Sequence, residues 1–385
     1  MSAQQRSIRA ALLRKESEYS LNAREQPTTK PSVSFSASTH LRFSATPANP
    51  VTANPTVTAA AITHSVDPVS TTEKEDVTFV SQGTLIRFYY FPFLLKKWSG
   101  PMSVTLCINA GEENEFTRLV AESQLSKRLS LVPYHLPLNA SYPINLLRNL
   151  AIDNSKTNHF WLTDLDMWPS DGLYDAILTL PAEDLRDPKL AIIVPAFEIR
   201  SPKCETFREC TNSVLDIFPN TKQALRRCTQ RRKCGRFRPF DRLHDYFFMR
   251  WYSLAYNDLL TPVTCFKSDT QEPYVVVRKS PDLPRFDERF VNYAYNKVQW
   301  IEHLRYRGYR FSVLTMGFAV DMPHPFSPLR AQFMEVRKAT NSTLNKNLFN
   351  QFRTELAAME KNRSVVTFCI PPPKRLRVKP IPRAH

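Results

Sequence analysis

The chain has 385 residues, of which 42% are hydrophobic, enough to build one large domain or two smaller ones around a true core. Its formal net charge of +16 favours an anionic partner, although charge alone does not choose among nucleic acids, membrane surfaces, nucleotide-sugars and acidic polysaccharides. Only 7 glycines accompany 30 prolines, and neither GxGxxG nor GxxxxGK[ST] occurs, which excludes the glycine-rich phosphate loops.

The two ends of the chain differ in composition from its middle. Residues 1–76 are rich in Ser, Thr, Ala and Pro and have few large apolar side chains, which predicts a disordered stem or linker. Residues 371–385 are basic and proline-rich and are predicted to form an unstructured tail. Residues 77–370 are predicted to form one folded domain. No apolar run long enough to span a membrane and no signal-peptide pattern is visible, so we expect any membrane attachment to use an unseen anchor.

The middle of the chain alternates β-rich runs with helical patterns. The predicted elements are strands over 84–90 and 102–108, a helix over 112–128, a strand over 129–134, a helix over 144–154, a strand over 159–166, a helix near 172–180 and a strand over 190–197. Strands and helices that alternate at this spacing predict an α/β fold with functional sites at the carboxyl ends of the strands.

Two carboxylates end one of these strands. Asp164 and Asp166 follow the apolar run 159–163, and in an extended chain they would lie on the same side, where their oxygens can converge on a hard divalent ion. Such an ion would bridge the two phosphates of a nucleotide-sugar and stabilise the departing diphosphate as a Lewis acid. Paired aspartates also occur in helix caps and turns, so the pair alone is a weak signal.

Four of the seven cysteines bracket a basic segment. Each pair, Cys204 with Cys210 and Cys228 with Cys234, has five residues between its members, a spacing that does not match zinc motifs. No CxxC and no histidine occur in the cluster, so we expect disulfides or unpaired thiols rather than zinc. The odd total leaves at least one thiol free.

The segment 226–238 interleaves cations with an aromatic residue, as nucleic-acid-binding segments do. No helix, sheet or zinc signature of a nucleic-acid module accompanies it, so a nucleic-acid partner is the less favoured alternative. Two interpretations stay open. The segment docks a negatively charged glycan, or it is a solvated loop.

Several ordered motifs over residues 80–360 resemble glycosyltransferase family 49. The resembling segments are 142–151, 163–173, 194–198, 272–278, 286–290, 295–298 and 350–356. The resemblance implies a GT-A type nucleotide-sugar-binding fold, in which a mixed sheet is flanked by helices. It also implies an inverting, metal-dependent glycosyltransferase that moves a sugar from a UDP-sugar to a hydroxyl of a glycan or glycoprotein. Glucuronate is the leading donor sugar and xylose the leading acceptor.

The family also implies a location in the Golgi lumen or Golgi membrane, and a homodimer is a further expectation. Three glycosylation sequons are compatible with a secretory lumen, although such short motifs also occur by chance. They begin at Asn139, Asn341 and Asn362.

The resemblance implies a Mn²⁺ site held by Asp164 and Asp166. Asn145 and Arg148 would lie near the nucleotide, with a helix cap and a surface ion pair as their respective alternatives.

The third metal ligand in the resembling enzymes is a histidine, whose place here is taken by Asp321. Aspartate can bind Mn²⁺, and His324 is the substitute ligand if the loop shifts. A plain loop aspartate is the remaining alternative.

Glu198, Asp287 and Glu288 are the candidates for the catalytic base, which must reach the attacking hydroxyl. For Glu198 the alternative is an ordinary carboxylate at a helix start, and for Asp287 it is a helix cap. Asn296 stands where many inverting enzymes carry an acidic pair, and is a candidate substrate-binding residue.

Three further residues are candidates for binding substrate. His244 and Trp251 fall in a stretch where an aromatic plane could stack on the acceptor sugar, with core packing as the alternative for Trp251. Arg278, or in its place Arg200, would pair with a glucuronate carboxylate, with an ordinary surface role as the alternative.

A third class of function is a catalytically impaired relative that acts as a scaffold or chaperone for other transferases. The intact Asp164 and Asp166 weigh against it, whereas the replacement at Asp321 weighs for it.

Overall fold

In this computed structural model, the domain is built on a mixed sheet in which the strand Val77–Thr84 has a parallel neighbour on each side. The structure describes residues 74–369 except 124, 201–203, 240–242, 247–248, 255–258, 326–329 and parts of 332–343. Nearly all of the proposed stem and the whole of the proposed tail therefore lie outside the described residues. The described strands are β1 (Val77–Thr84), β2 (Met102–Ile108), β3 (Leu129–His135), β4 (His159–Leu162), β5 (Met167–Pro169), β6 (Leu190–Val194), β7 (Ala196–Ile199), β8 (Cys234–Arg236), β9 (Leu260–Pro262), β10 (Cys265–Phe266), β11 (Tyr274–Arg278), β12 (Arg310–Leu314), β13 (Ala319–Asp321) and β14 (Thr367–Phe368).

Among the described residues these strands form a main sheet of eight strands, ordered β3-β2-β1-β4-β11-β6-β12-β9. β1 pairs in parallel with β2 and β4, whereas β11 runs antiparallel to both β4 and β6. Seven of the eight residues of β1 are buried, because a central strand of such a sheet is covered on both faces. A second sheet of four strands has the order β5-β13-β7-β8.

Helices pack against the strands of both sheets and against one another. They are α1 (Phe91–Lys97), α2 (Glu113–Ser123), α3 (Ile144–Asn154), α4 (Leu173–Leu178), α5 (Ala182–Arg186), α6 (Phe207–Asn212), α7 (Lys222–Gln230), α8 (Asn296–Tyr306) and α9 (Leu344–Met359). α3 packs against β1 and β2, and α8 packs against α9. The predicted α/β class with a mixed sheet flanked by helices is confirmed. In the part of the chain that the structure describes, no helix is both long and apolar enough to cross a membrane.

Three predicted strands needed correction, and the one predicted over 159–166 is too long, because β4 ends at Leu162 and the chain then turns. The strand predicted over 84–90 is wrong, because the chain leaves β1 at Thr84 and forms a 3-10 helix over Leu85–Tyr90. Leu85, Phe88 and Phe91 are buried at intervals of three, the repeat of a 3-10 turn, and this packing overrides the strand preference of the aromatic residues.

The strand predicted over 190–197 divides at Pro195. β6 pairs within the main sheet, whereas β7 pairs within the second sheet. Proline has no N–H for a ladder hydrogen bond, which suits the point where one strand stops and the next begins.

The cysteines form three disulfides among the described residues, and the preference for disulfides over zinc is confirmed. Cys204 pairs with Cys210, Cys228 with Cys234, and Cys265 with Cys369. Cys107 is the free, buried thiol that the odd total requires.

Candidate active site

The site lies where the chain passes from β4 in the main sheet to β5 in the second sheet. Thr163 continues the pairing of β4 through a hydrogen bond from its N–H to the carbonyl of Val80. The N–H of Met167 then donates to the carbonyl of Asp164, which closes a turn around Leu165 and Asp166. The extended arrangement expected for Asp164 and Asp166 is therefore wrong, and the turn lets the two carboxylates meet different partners.

Asp166 is one of three side chains whose ligand atoms all lie within 4.8 Å of one another, the others being Asp321 and His324. His324 Nε2 is 3.3 Å from Asp166 Oδ2. Asp321 ends β13, which pairs with β5 on one side and β7 on the other. Asp321 and His324 were alternatives in the sequence, but the structure brings both to Asp166.

This group has the electrostatic character of a cation site. Burial and the neighbouring carboxylate of Asp166 raise the pKa of Asp321 well above its ordinary value, although the cation of Arg238 opposes this shift. A divalent cation would relieve this repulsion between carboxylates. Two carboxylates and one imidazole fit Mn²⁺, which binds oxygen ligands and accepts a borderline nitrogen donor.

Asp164 lies outside that group and is held by cations. Its carboxylate accepts hydrogen bonds from Lys297 Nζ at 3.0 Å and from the Tyr274 hydroxyl at 2.9 Å, and Arg148 lies 3.4 Å away. Burial alone would raise the pKa of Asp164, but the charges of Lys297 and Arg148 hold it well below its ordinary value. Sequence patterns did not indicate a role for Lys297 or Tyr274, because only the fold shows that they meet Asp164.

Asn145, Arg148 and Asn296 form a buried polar network behind Asp164. Arg148 Nη1 donates to Asn145 Oδ1 at 3.0 Å and to Asn296 Oδ1 at 2.8 Å. Asn145 does not cap its helix, since the N-cap is Pro143, and Arg148 is 2% exposed rather than a surface ion pair. Both ends of each amide are bonded to the protein, so the network orients Arg148 towards Asp164.

Arg87 is a further cation at the site. Its Nη2 donates to Asp166 Oδ2 at 3.1 Å, and its guanidinium lies 5.5 Å from the centre of the Phe207 ring. The same ring stacks on His324, with centroids 6.0 Å apart and planes 10° apart. The sequence did not indicate a role for Arg87, because the strand predicted over 84–90 gave no reason to place it near Asp166.

Among the candidates for the catalytic base, Glu198 is the one beside the Asp166 group. It faces Asp321 across paired strands, and its Oε2 accepts a hydrogen bond from the N–H of Arg238 at 3.1 Å. The Asp287 carboxylate instead pairs with Arg289 at 2.6 Å. Glu288 accepts from Asn149 Nδ2 at 2.7 Å.

Three candidates for substrate binding are buried or already paired with another side chain. Trp251 is fully buried and donates from Nε1 to the carbonyl of Leu314, so stacking on an acceptor sugar does not fit its position and core packing does. His244 is 6% exposed and lies against Tyr274. Arg278 lies beside His159 at the opposite end of the strand ladder and pairs with Glu75 at 2.6 Å, which does not fit contact with a donor carboxylate.

Fold and site together define an α/β protein with a candidate divalent-metal site at the edge of its main sheet. Residues 120–360 match the model of a family described as glycosyl-transferase for dystroglycan. The chain belongs to this family, glycosyltransferase family 49, and the resemblance seen in the sequence is confirmed. The family assignment and the mixed sheet agree with the GT-A type fold that the sequence predicts.

Curated relatives match about two thirds of the chain. The chain is 34% identical over 257 residues to xylosyl- and glucuronyltransferase LARGE2s of Gallus gallus, which covers 65% of this chain and 32% of the relative. It is 32% identical over 258 residues to xylosyl- and glucuronyltransferase LARGE1 of Homo sapiens, a match that covers 66% of this chain and 32% of the relative. The chain thus spans about a third of the length of these relatives.

Solved structures give weaker similarities. S. aureus TarS 1-349 in complex with UDP-GlcNAc aligns with a TM-score of 0.41 at 13% identity, over 73% of this chain and 71% of that one. GalNAc-T7 with UDP, GalNAc and Mn²⁺ aligns with a TM-score of 0.40 at 9% identity, over 69% of this chain and 48% of that one.

Proposed function

We propose that the chain is an inverting, metal-dependent glycosyltransferase that transfers a sugar from a UDP-sugar to a hydroxyl of a glycan or glycoprotein. The observation that carries this proposal is the convergence of Asp166, Asp321 and His324 at the edge of the sheet. These three side chains would hold Mn²⁺, which supplies a Lewis acid for the negative charge of the leaving diphosphate. Membership of the family supports the transferase chemistry.

The residues around that group would bind and orient the donor. Arg87 lies against Asp166 and offers a cation for the diphosphate. Asp164 stays ionised beside Lys297 and offers carboxylate oxygens to the donor's hydroxyl groups. Arg148, fixed by its two asparagines, keeps that carboxylate in place.

Glu198 is the base that the geometry favours. It lies next to Asp321 in the second sheet, whereas Asp287 and Glu288 are bonded to Arg289 and Asn149. A carboxylate beside the metal group is in a position to take the proton of an acceptor hydroxyl as the sugar is transferred.

Glucuronate is the leading donor sugar and xylose the leading acceptor, because the curated relatives are named xylosyl- and glucuronyltransferases. A Golgi lumen location follows from the same resemblance. The disulfides support it, since they persist in oxidising compartments. The proposal also includes a homodimer and three parts of the chain, which are a stem over 1–76, a transferase domain over 77–370 and a tail over 371–385.

A scaffold or chaperone for other transferases is the second candidate function. The observation in its favour is Asp321, which repels the carboxylate of Asp166 and which, by the family resemblance, takes the place of a histidine ligand.

Release of UDP from a panel of UDP-glucuronate, UDP-xylose and UDP-N-acetylglucosamine tests the proposal. With Mn²⁺ and a β-xyloside acceptor, we expect turnover of UDP-glucuronate that falls at least ~100-fold in Asp166→Asn, because several kcal/mol of leaving-group stabilisation are lost. Asp175→Asn, an exposed aspartate of α4, is the matched control and should keep full activity. No turnover with any donor, together with no Mn²⁺-dependent binding of UDP in calorimetry, would favour the scaffold function.

A further inference from the structure

The end of α7 and the turn that leads from it to β8 expose a group of cations without acidic partners. Within the part of the chain that the structure describes, none of these side chains forms an ion pair. We call the group the basic turn: Arg226, Arg227, Arg231, Arg232 and Lys233. Five unpaired charges in one short segment repel each other, which costs free energy unless an anion is nearby.

The basic turn is held in a defined shape. The Cys228–Cys234 disulfide closes it, and the N–H of Lys233 donates to the carbonyl of Cys228. Arg232 has φ of 59°, a left-handed conformation that glycine or asparagine adopts more readily and that costs a side chain such as arginine roughly 1 kcal/mol. An unfavourable backbone position filled by a cation points to a use for that cation.

The dipole of α7 explains the position of only some of the cations in the basic turn. Cations in the last turn of a helix are stabilised by its dipole, which explains Arg227. α7 ends at Gln230, however, and Arg232 and Lys233 lie beyond that last turn. Their charges therefore call for a different partner.

The basic turn leads directly towards the candidate active site. In β8, Gly235 pairs with Glu198 of β7, which pairs in turn with Asp321 of β13. Two strand spacings separate Gly235 from Asp321, on the order of 10 Å. Gly235 leaves room for Arg200, whose Nη2 would be 3.3 Å from a Cβ at that position. Cations thus continue from the basic turn to the edge of the Asp166 group.

The surroundings favour an acidic polysaccharide over a nucleic acid. Phe237, the aromatic residue of this segment, is 6% exposed and packs against His244 and Tyr274, so it offers no platform for stacking bases. The disulfides also indicate an oxidising compartment, where acidic glycans are common and nucleic acids are not the usual partners.

We propose that the basic turn binds an extended acidic glycan and directs that chain across β8 and β7 towards the transfer site. The direction of the chain towards the site rests on the proposed transferase function. Binding itself needs neither metal nor donor. The ligand chemistry is a polysaccharide with repeated carboxylate or sulfate groups.

Binding to two immobilised polysaccharides, heparin for sulfate and polygalacturonate for carboxylate, tests the proposal in EDTA without donor. The test variant is Arg226→Gln/Arg231→Gln/Lys233→Gln, and the matched control removes three exposed cations elsewhere, Lys156→Gln/Lys346→Gln/Lys361→Gln. We expect the test variant to bind at least one of the two polysaccharides about tenfold more weakly near physiological salt. The slope of log affinity against log salt should fall by about 3, while the control stays within about twofold of the wild type.

Equal losses in the two variants would overturn the proposal, since net charge alone would then explain binding. Unchanged binding by the test variant would overturn it as well. Tighter binding of a single-stranded oligonucleotide of matched charge would indicate a nucleic-acid surface instead. Turnover on a small β-xyloside separates the two proposals, because a basic turn that fails to bind glycans leaves that reaction intact.

Discussion

Asp164 and Asp166 are two residues apart in sequence yet serve different parts of the site. Asp166 joins Asp321 and His324, whereas Asp164 is bonded to Lys297 and Tyr274. The sequence indicated that both carboxylates matter, because two aspartates follow an apolar strand. It could not show that they diverge, since the turn at Leu165 depends on the passage of the chain from one sheet to the other.

Lys297→Met tests whether Asp164 depends on a buried counter-charge. The Lys297 side chain is 5% exposed and that of Asp164 is 26% exposed, so removal of the cation leaves a poorly solvated carboxylate. We expect the free energy of unfolding in urea to fall by about 2 kcal/mol. The double variant Asp164→Asn/Lys297→Met should lose at least about 1 kcal/mol less than the sum of the two single losses. Additive losses would show that the pair is not coupled.

At the scale of elements, the sequence predicted those helices and strands whose bounds follow from the local pattern of apolar residues. α3 begins and ends where the helical pattern does, and β2 matches the apolar run over 102–108. The 3-10 helix over Leu85–Tyr90 was missed because aromatic residues prefer strands unless tertiary packing overrides that preference. The pairing of Cys265 with Cys369 was also beyond the sequence, because nothing local connects residues 104 positions apart.

The Cys265–Cys369 disulfide should stabilise the domain more than the local disulfides do. It joins β10 to the residue that follows β14, and these two strands form a pair too short to be stable alone. Cys265→Ser/Cys369→Ser should lower the free energy of unfolding by about 4 kcal/mol, because the bond closes a long loop in the unfolded chain. The matched variant Cys204→Ser/Cys210→Ser, which opens a separation of 6, should cost about half as much. Equal losses in urea unfolding would contradict this loop-entropy account.

At the scale of the whole molecule, the candidate site is assembled from distant parts of the chain. Arg87, Asp166 and His324 come from three separate segments, yet all three touch one another or Phe207. Motifs in the sequence identified Asp166 and both alternatives for the third ligand. Only the second sheet, which sets β13 beside β5 and β7, explains why Asp321 and His324 reach the same point.

The binding of Mn²⁺, followed by the loss of the free-ion signal in electron paramagnetic resonance, tests the central claim most directly. With UDP present, we expect one site per chain, and at least tenfold weaker binding in each of Asp166→Asn, Asp321→Asn and His324→Ala, because each variant removes a ligand. Asp175→Asn should bind Mn²⁺ as the wild type does. Wild-type affinity in both Asp321→Asn and His324→Ala would contradict the claim that these side chains hold the metal.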